Sequence, residues 1–170
     1  MTVRAVDCRV FGNGGFSGFS FIELLVTLAI MSVLLTVAVP MVQVAVQRQQ
    51  ENDLRIALIQ IREALDAYKK ASEQGRIALK VGESGYPATP EQLVDGVDDQ
   101  RSPTRQKLYF LRRLPRDPFH HRDFETAAAL TWGLRSYASP PTNPAQRLDV
   151  FDVYSKSDRI GLNGVPYRDW

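Results

Sequence analysis

Cysteine is nearly missing from this chain: Cys8 is the only one in 170 residues. No disulfide can therefore form within it, whatever the redox compartment. A dominant sign of charge is missing too, since 21 basic and 19 acidic residues leave a net charge of +2. That balance supplies no basic face of the kind that neutralises a phosphate backbone, so nucleic acid is not among the expected partners. Histidine is confined to His120 and His121, flanked by Asp117 and Asp123. Adjacent side chains point apart on a strand or helix, which is poor spacing for a metal, and the cluster reads as a surface turn. Ser155, Ser157 and Asp158 have no matching histidine motif around them, and Gly12-Asn13-Gly14 has no strand before it. The residue inventory points away from an enzyme.

Charge is scarcest from Phe19 to Val39, 21 residues in which Glu23 is the single ionisable side chain. About 20 apolar residues in a helix span the roughly 30 Å hydrocarbon core of a bilayer. A lone carboxylate inside such a span costs about 2.5 to 3.5 kcal/mol on insertion scales and is read as functional by default. Glu23 therefore calls for a cationic partner.

Gly18-Phe19-Ser20-Phe21-Ile22-Glu23-Leu24-Leu25-Val26 resembles the class III signal of type IV prepilins and of type II secretion pseudopilins. The resemblance implies a leader ending at Gly18, cut there by a prepilin peptidase. It implies Phe19 as the new, N-methylated terminus and Glu23 as the fifth mature residue. Pro40, the twenty-second mature residue, stands where these families commonly carry a proline. Arg4 and Arg9 give the leader a weakly positive character suited to the cytoplasmic side. Such leaders often carry basic residues close to the cut, where this chain has Gly-Gly-Phe-Ser. Cys8 would leave with the leader. The competing expectation is an ordinary secretory signal cut near Ala38 or Ala45, against which a glutamate inside the apolar region counts.

Between Pro40 and Gly75 there is neither glycine nor proline. Leu54, Leu58, Ile61, Leu65 and Tyr68 recur at spacings of four and three, one apolar stripe on a helix. Arg55, Arg62, Glu63, Asp66 and Lys69 take the other faces. The spanning helix thus runs on into an amphipathic one, about 55 residues and on the order of 80 Å in all. Pro40 lacks an amide donor, so a kink or loosened turn is expected around Val37 to Pro40. The stripe is too short for a sustained coiled coil and predicts packing against the chain's own C-terminal region.

In that region Thr89-Pro90-Glu91-Gln92 reads as a helix start, with Thr89 as N-cap, Pro90 at the first position and Gln92 closing a capping box. Asp95-Gly96 stops this helix, and Val97 to Lys107 reads as a solvated loop. Tyr109 to Phe119, with two prolines, is an extended, turn-rich connection. Leu130 to Arg135 and Val150 to Tyr154 are the expected strands, separated by the proline-rich loop Ser139 to Pro144. The predicted fold is α+β: a long N-terminal helix, transmembrane in its first half, packed on a small antiparallel sheet in a pilin-like arrangement. The expected divisions are a leader over 1–18, a membrane and filament-core helix over 19–39, its amphipathic continuation over 40–75, and a periplasmic globular region over 76–170.

Ala64-Leu65-Asp66-Ala67-Tyr68-Lys69, Gly85-Tyr86-Pro87, Glu91-Gln92-Leu93 and Leu114-Pro115-Arg116-Asp117-Pro118-Phe119 are similar in order to segments of the major pseudopilin of type II secretion, the GspG family. Val153 to Asp158 and Asp169-Trp170 continue that order. The segment between Tyr68 and Tyr86 is longer than the family's turn, and 97–107 looks inserted. This resemblance implies a structural subunit of a periplasmic filament that helps drive folded exoproteins across the outer membrane. The subunit would be anchored once in the bacterial inner membrane, with its C-terminal domain in the periplasm. The implied partners are copies of itself, other pseudopilins, the prepilin peptidase and an inner-membrane assembly platform. A type IV pilin serving adhesion, motility or DNA uptake is the alternative; many such pilins close a C-terminal loop with a disulfide, which the mature chain could not make. Many GspG-like proteins also bind calcium in an acidic, glycine-rich C-terminal loop. Here Ser157 to Asp169 holds two carboxylates and two arginines, and Ser157, Asp158 and Asp169 are the candidate ligands beside backbone carbonyls.

The two cleavage expectations separate on one measurement. N-terminal sequencing of the mature protein should begin at Phe19 and not after Ala38 or Ala45.

Overall fold

A computed structural model of the 170-residue chain describes residues 18–120 and 125–170. His121 and Asp123, and with them half of the histidine cluster, lie outside the described residues, as does the leader through Ser17. The chain divides into two compact units, one ending at Gln43 and the other comprising Val44–Trp170. Helix α1, Phe21–Glu73, contributes to both.

In the first unit α1 is continuous through Pro40. Proline at this position removes a single donor, the one that would serve the Thr36 carbonyl four residues back, and the neighbouring helical bonds hold the turn.

In the second unit α1 buries one face. Leu54, Leu58, Ile61, Leu65 and Tyr68 are all inside, as their spacing predicts. Ala57, Ala64 and Ala71 fill the same face, small residues that let the covering segments come close. The helix ends in a Schellman arrangement around Gly75, whose φ of +68° suits glycine. The Gly75 amide donates to the Ser72 carbonyl at 2.9 Å and the Arg76 amide to the Ala71 carbonyl at 3.0 Å. The chain then doubles back. Ser72 Oγ donates to the Gly85 carbonyl at 3.0 Å and Lys69 Nζ to the Ser84 carbonyl at 2.8 Å, which seats Gly85-Tyr86-Pro87 on the last turn of α1.

Helix α2, Gln92–Asp95, is a single turn that buries Leu93. It lacks the expected capping box. Gln92 Oε1 accepts the Ala88 amide at 3.0 Å, one residue short of Thr89, and no side chain caps the first turn. Pro90 lies ahead of the helix, in a tight turn where the Gln92 amide donates to the Thr89 carbonyl.

Residues 97–107 are largely exposed, as their charges suggested, but the ends of the segment pair and one carboxylate is buried. Val97–Asp98 forms β1 and pairs antiparallel with β2, Lys107–Leu108. Asp99 is buried, and its Oδ2 accepts both Nε and Nη2 of Arg76, at 3.0 and 2.6 Å. The ion pair ties the start of the insertion to the end of α1, which no local pattern announces.

The two predicted strands are present but shifted. A 3-10 turn takes Ala128–Thr131, and β3 is Trp132–Arg135. Its partner β4 is Asp152–Ser155, antiparallel, with Gly133 opposite Tyr154. Tyr154 needs that glycine, because a Cβ at position 133 would sit 2.3 Å from the tyrosine ring. The α+β expectation holds, as one long helix with two separate two-stranded ribbons in place of a single sheet.

Two polar clamps fix this arrangement. Arg62 on α1 donates through Nε to Asp152 Oδ1 at 2.8 Å, while Arg135 holds Asp152 Oδ2 at 3.0 Å. Asp117, from the proline-bracketed connection, is buried; its Oδ2 accepts Ser155 Oγ at 2.6 Å and its Oδ1 the Phe119 amide at 2.8 Å. Nearby, Trp132 Nε1 donates to the Pro115 carbonyl at 2.9 Å.

Asp117→Ala should cost about 2 to 4 kcal/mol, because it strands two donors in the interior, and should cost more than Ser155→Ala. Urea unfolding of the detergent-solubilised chain tests this, and equal costs would exclude the clamp. The Arg76 guanidinium, followed by the Arg101 amide, holds the Asp99 carboxyl below its ordinary range. A folded-state value below the unfolded one gives stability that is present above the unfolded pKa and is lost as pH falls through the folded one. The stability gap between the wild type and Asp99→Asn should therefore be widest near neutral pH and close as pH falls below about 4, read from urea midpoints across the range.

Candidate functional site

The site is a surface, the first half of α1. Every residue from Gly18 to Val46 is exposed, including Phe19 at 80% and Phe21 at 79%. Gly18 precedes the helix, and nothing lies within 4 Å of where its Cβ would be. The Ser20 carbonyl accepts the Leu24 amide at 3.1 Å, so helical bonding begins just after Phe19. Glu23 sits in the first turn, where the exposed amides of a helix start favour a negative charge.

The other polar side chains of the apolar run are satisfied locally or uncharged. Thr27 Oγ1 donates to the Leu24 carbonyl at 2.9 Å, Ser32 Oγ to Ala29 at 2.8 Å and Thr36 Oγ1 to Ser32 at 2.9 Å. Such back-bonding is how a hydroxyl hides its polarity on a helix. Glu23 cannot back-bond to a carbonyl in this way, because a carboxylate only accepts; the free amides of the first turn favour its charge but do not neutralise it. The helix is long and apolar enough to cross a membrane. Among the described residues, the predicted Gly18 and Phe19 lie just ahead of α1, Glu23 is in its first turn and Pro40 farther along the same helix.

The candidate calcium ligands are on the loop after β4. Ser157 Oγ accepts the Arg159 amide at 3.3 Å, and Asp169 Oδ1 lies 4.0 Å from Arg168 Nε. Asp169 belongs to a short 3-10 turn, Tyr167–Asp169. His120 is half-buried, its amide donating to the Asp117 carbonyl at 3.2 Å. Among the described residues no three histidine, cysteine or acidic side chains come together as a metal-binding group.

A polar cluster invisible to the sequence reading joins this loop to α1. Glu51 Oε1 accepts the Leu162 amide and the Tyr167 hydroxyl, both at 2.8 Å, and the Gln47 side-chain amide at 3.2 Å. Gln47 Nε2 also donates to the Tyr167 oxygen at 2.9 Å. Tyr167 is fully buried, stacked on Phe119 with ring centroids 4.0 Å apart. Burial, and then the hydrogen bond to Glu51, raise its hydroxyl above the ordinary tyrosine value, so it remains a donor. The one local hint was the Gln47–Glu51 spacing of four; the partners lie more than a hundred residues away.

Among known families, the model described as the prokaryotic N-terminal methylation motif matches residues 14–39. No curated protein and no solved structure matches the chain. The matched segment contains Gly18, Phe19 and Glu23 and is the class III signal shared by type IV pilins and pseudopilins. It is the motif of pilin-like structural subunits that a prepilin peptidase processes and that assemble into filaments, and it accompanies a membrane-anchoring apolar helix.

Proposed function

We propose that this chain, carrying the pilin-type methylation signal, is a structural subunit of the type II secretion pseudopilus. In this reading the peptidase cuts between Gly18 and Phe19, the Phe19 amine is methylated, and the subunit waits in the inner membrane with Val44–Trp170 in the periplasm. Copies then leave the bilayer for a filament whose core is built from the first halves of their helices, and whose growth helps drive folded exoproteins across the outer membrane.

The observation that carries the filament reading is the exposed apolar surface of 18–46 with one carboxylate, Glu23, and no cationic side chain among those residues to neutralise it. In a low-dielectric core an unpaired charge is strongly disfavoured, so the Glu23 carboxylate of one copy takes the Phe19 amine of a neighbour. Apolar contact supplies most of the attraction, which is not directional. The charge pair sets the axial register.

Support for a pseudopilus within the pilin-like class comes from the periplasmic unit. No cysteine remains after Gly18, so the unit must close without a disulfide. The segments that resemble the major pseudopilin are the ones that hold its fold: Tyr68 in the core, Gly85-Tyr86-Pro87 on the end of α1, and Asp117 clamping β4.

Glu23→Val should leave membrane insertion intact or improved while abolishing filament assembly, read by shearing and electron microscopy of cells expressing the variant. Wild-type levels of filament would overturn the register role of Glu23. Deletion of the gene with profiling of secreted proteins tests the secretion assignment separately, since loss of surface pili with normal secretion would favour a type IV pilus.

A further inference from the structure

The loop that follows β4 is where the family resemblance places a calcium ion, and its groups do not fit one. Calcium takes about six to eight oxygens, several of them anionic. Between Ser155 and Trp170 the only carboxylates are Asp158 and Asp169, offset by Arg159 and Arg168. Four of the loop's carbonyls already accept backbone amides. Arg159 accepts the Tyr167 amide at 3.1 Å, Gly161 the Gly164 amide at 2.9 Å, and Val165 the Gly161 amide at 2.9 Å. Pro166 accepts the Asp169 amide at 3.0 Å.

The electrostatic sense of the loop is also inverted. A loop wrapped on a cation points carbonyl oxygens at it. This one points donors, the Leu162 amide and the Tyr167 hydroxyl, at a single carboxylate oxygen, Oε1 of Glu51. Charge-assisted bonds of this kind are about twice as strong as neutral ones. Tyr167 carries the effect inward, since its ring stacks on Phe119 and meets Trp170 edge-on at 5.1 Å. Arg55, one helical turn beyond Glu51, lies over the Trp170 ring at 4.6 Å.

We propose that the Glu51 carboxylate closes this loop in the role a bound cation would otherwise fill, so that the loop folds without calcium. The inference concerns the periplasmic unit and stands independently of the filament reading.

Limited trypsin digestion of the 170-residue chain in detergent micelles reads loop opening at Arg159 and Arg168, because cleavage tracks the population of the open form when opening is fast. Wild-type cleavage at Arg159 should be equally slow in calcium chloride and in EDTA. Glu51→Leu should speed it about tenfold or more, the fold-change for losing one charge-assisted bond. Should Glu51→Leu fail to fold, Tyr167→Phe removes only the hydroxyl and should still speed cleavage severalfold. Titration of the wild type with calcium should give no binding heat. Slowing of wild-type cleavage by calcium, saturable binding heat, or unchanged cleavage in both variants would each overturn the proposal.

Discussion

A carboxylate cannot hide in an apolar helix. Hydroxyls at Thr27, Ser32 and Thr36 fold back onto carbonyls of their own turns and cease to matter electrostatically. Glu23 offers acceptors only; the free amides of the first turn favour its charge but do not neutralise it. Whatever covers the surface from Phe19 to Val46, lipid or protein, must therefore bring a cation or hydrogen-bond donors to one fixed height on the helix. Apolar contact is tolerant of sliding and rotation; a single buried charge is not. The proposed filament follows from that difference, because it is the simplest environment in which every copy carries both the carboxylate and its partner amine.

From Leu54 onward the same helix obeys another rule. It is amphipathic, and it makes up one wall of a core closed by short, irregular segments. Ribbons of two to four residues bring little stability by themselves. The second unit is instead tied down by polar contacts: Lys69 and Ser72 to the 84–85 turn, Arg76 to Asp99, Arg62 to Asp152, Asp117 to Ser155 and Glu51 to the last loop. Such bonds are individually modest, but an unmet buried donor is costly, which gives an all-or-none character to each clamp.

The features legible in the sequence were those written in local periodicity or in a signal read by another protein. The stripe from Leu54 to Tyr68, the stop at Gly75 and the lone charge at Glu23 each depend on residues within a few positions. The misreadings share a cause. Of the charged residues in 97–107, Asp98, Arg101 and Arg105 are exposed as expected, but Asp99 is buried against an arginine 23 residues earlier. Thr89 looked like an N-cap because its local spacing was right, but α2 is held by Leu93, whose carbonyl takes the Phe110 and Leu111 amides at 3.0 and 2.9 Å. Tertiary partners outweighed local propensity where the element was too short to assert itself.

Glu51 extends the same logic to the loop that resemblance assigned to calcium. A cation and a carboxylate can each organise a loop, but they require opposite polarity from the backbone facing them. Amides turn toward an anion and carbonyls toward a cation. The Leu162 amide facing Glu51 has the polarity that suits an anion. Because Glu51 is on α1, closure of the loop depends on a residue in the same helix that presents Glu23 and the apolar surface. A mobile ion would make that closure answer to its concentration; a side chain makes it a property of the folded chain.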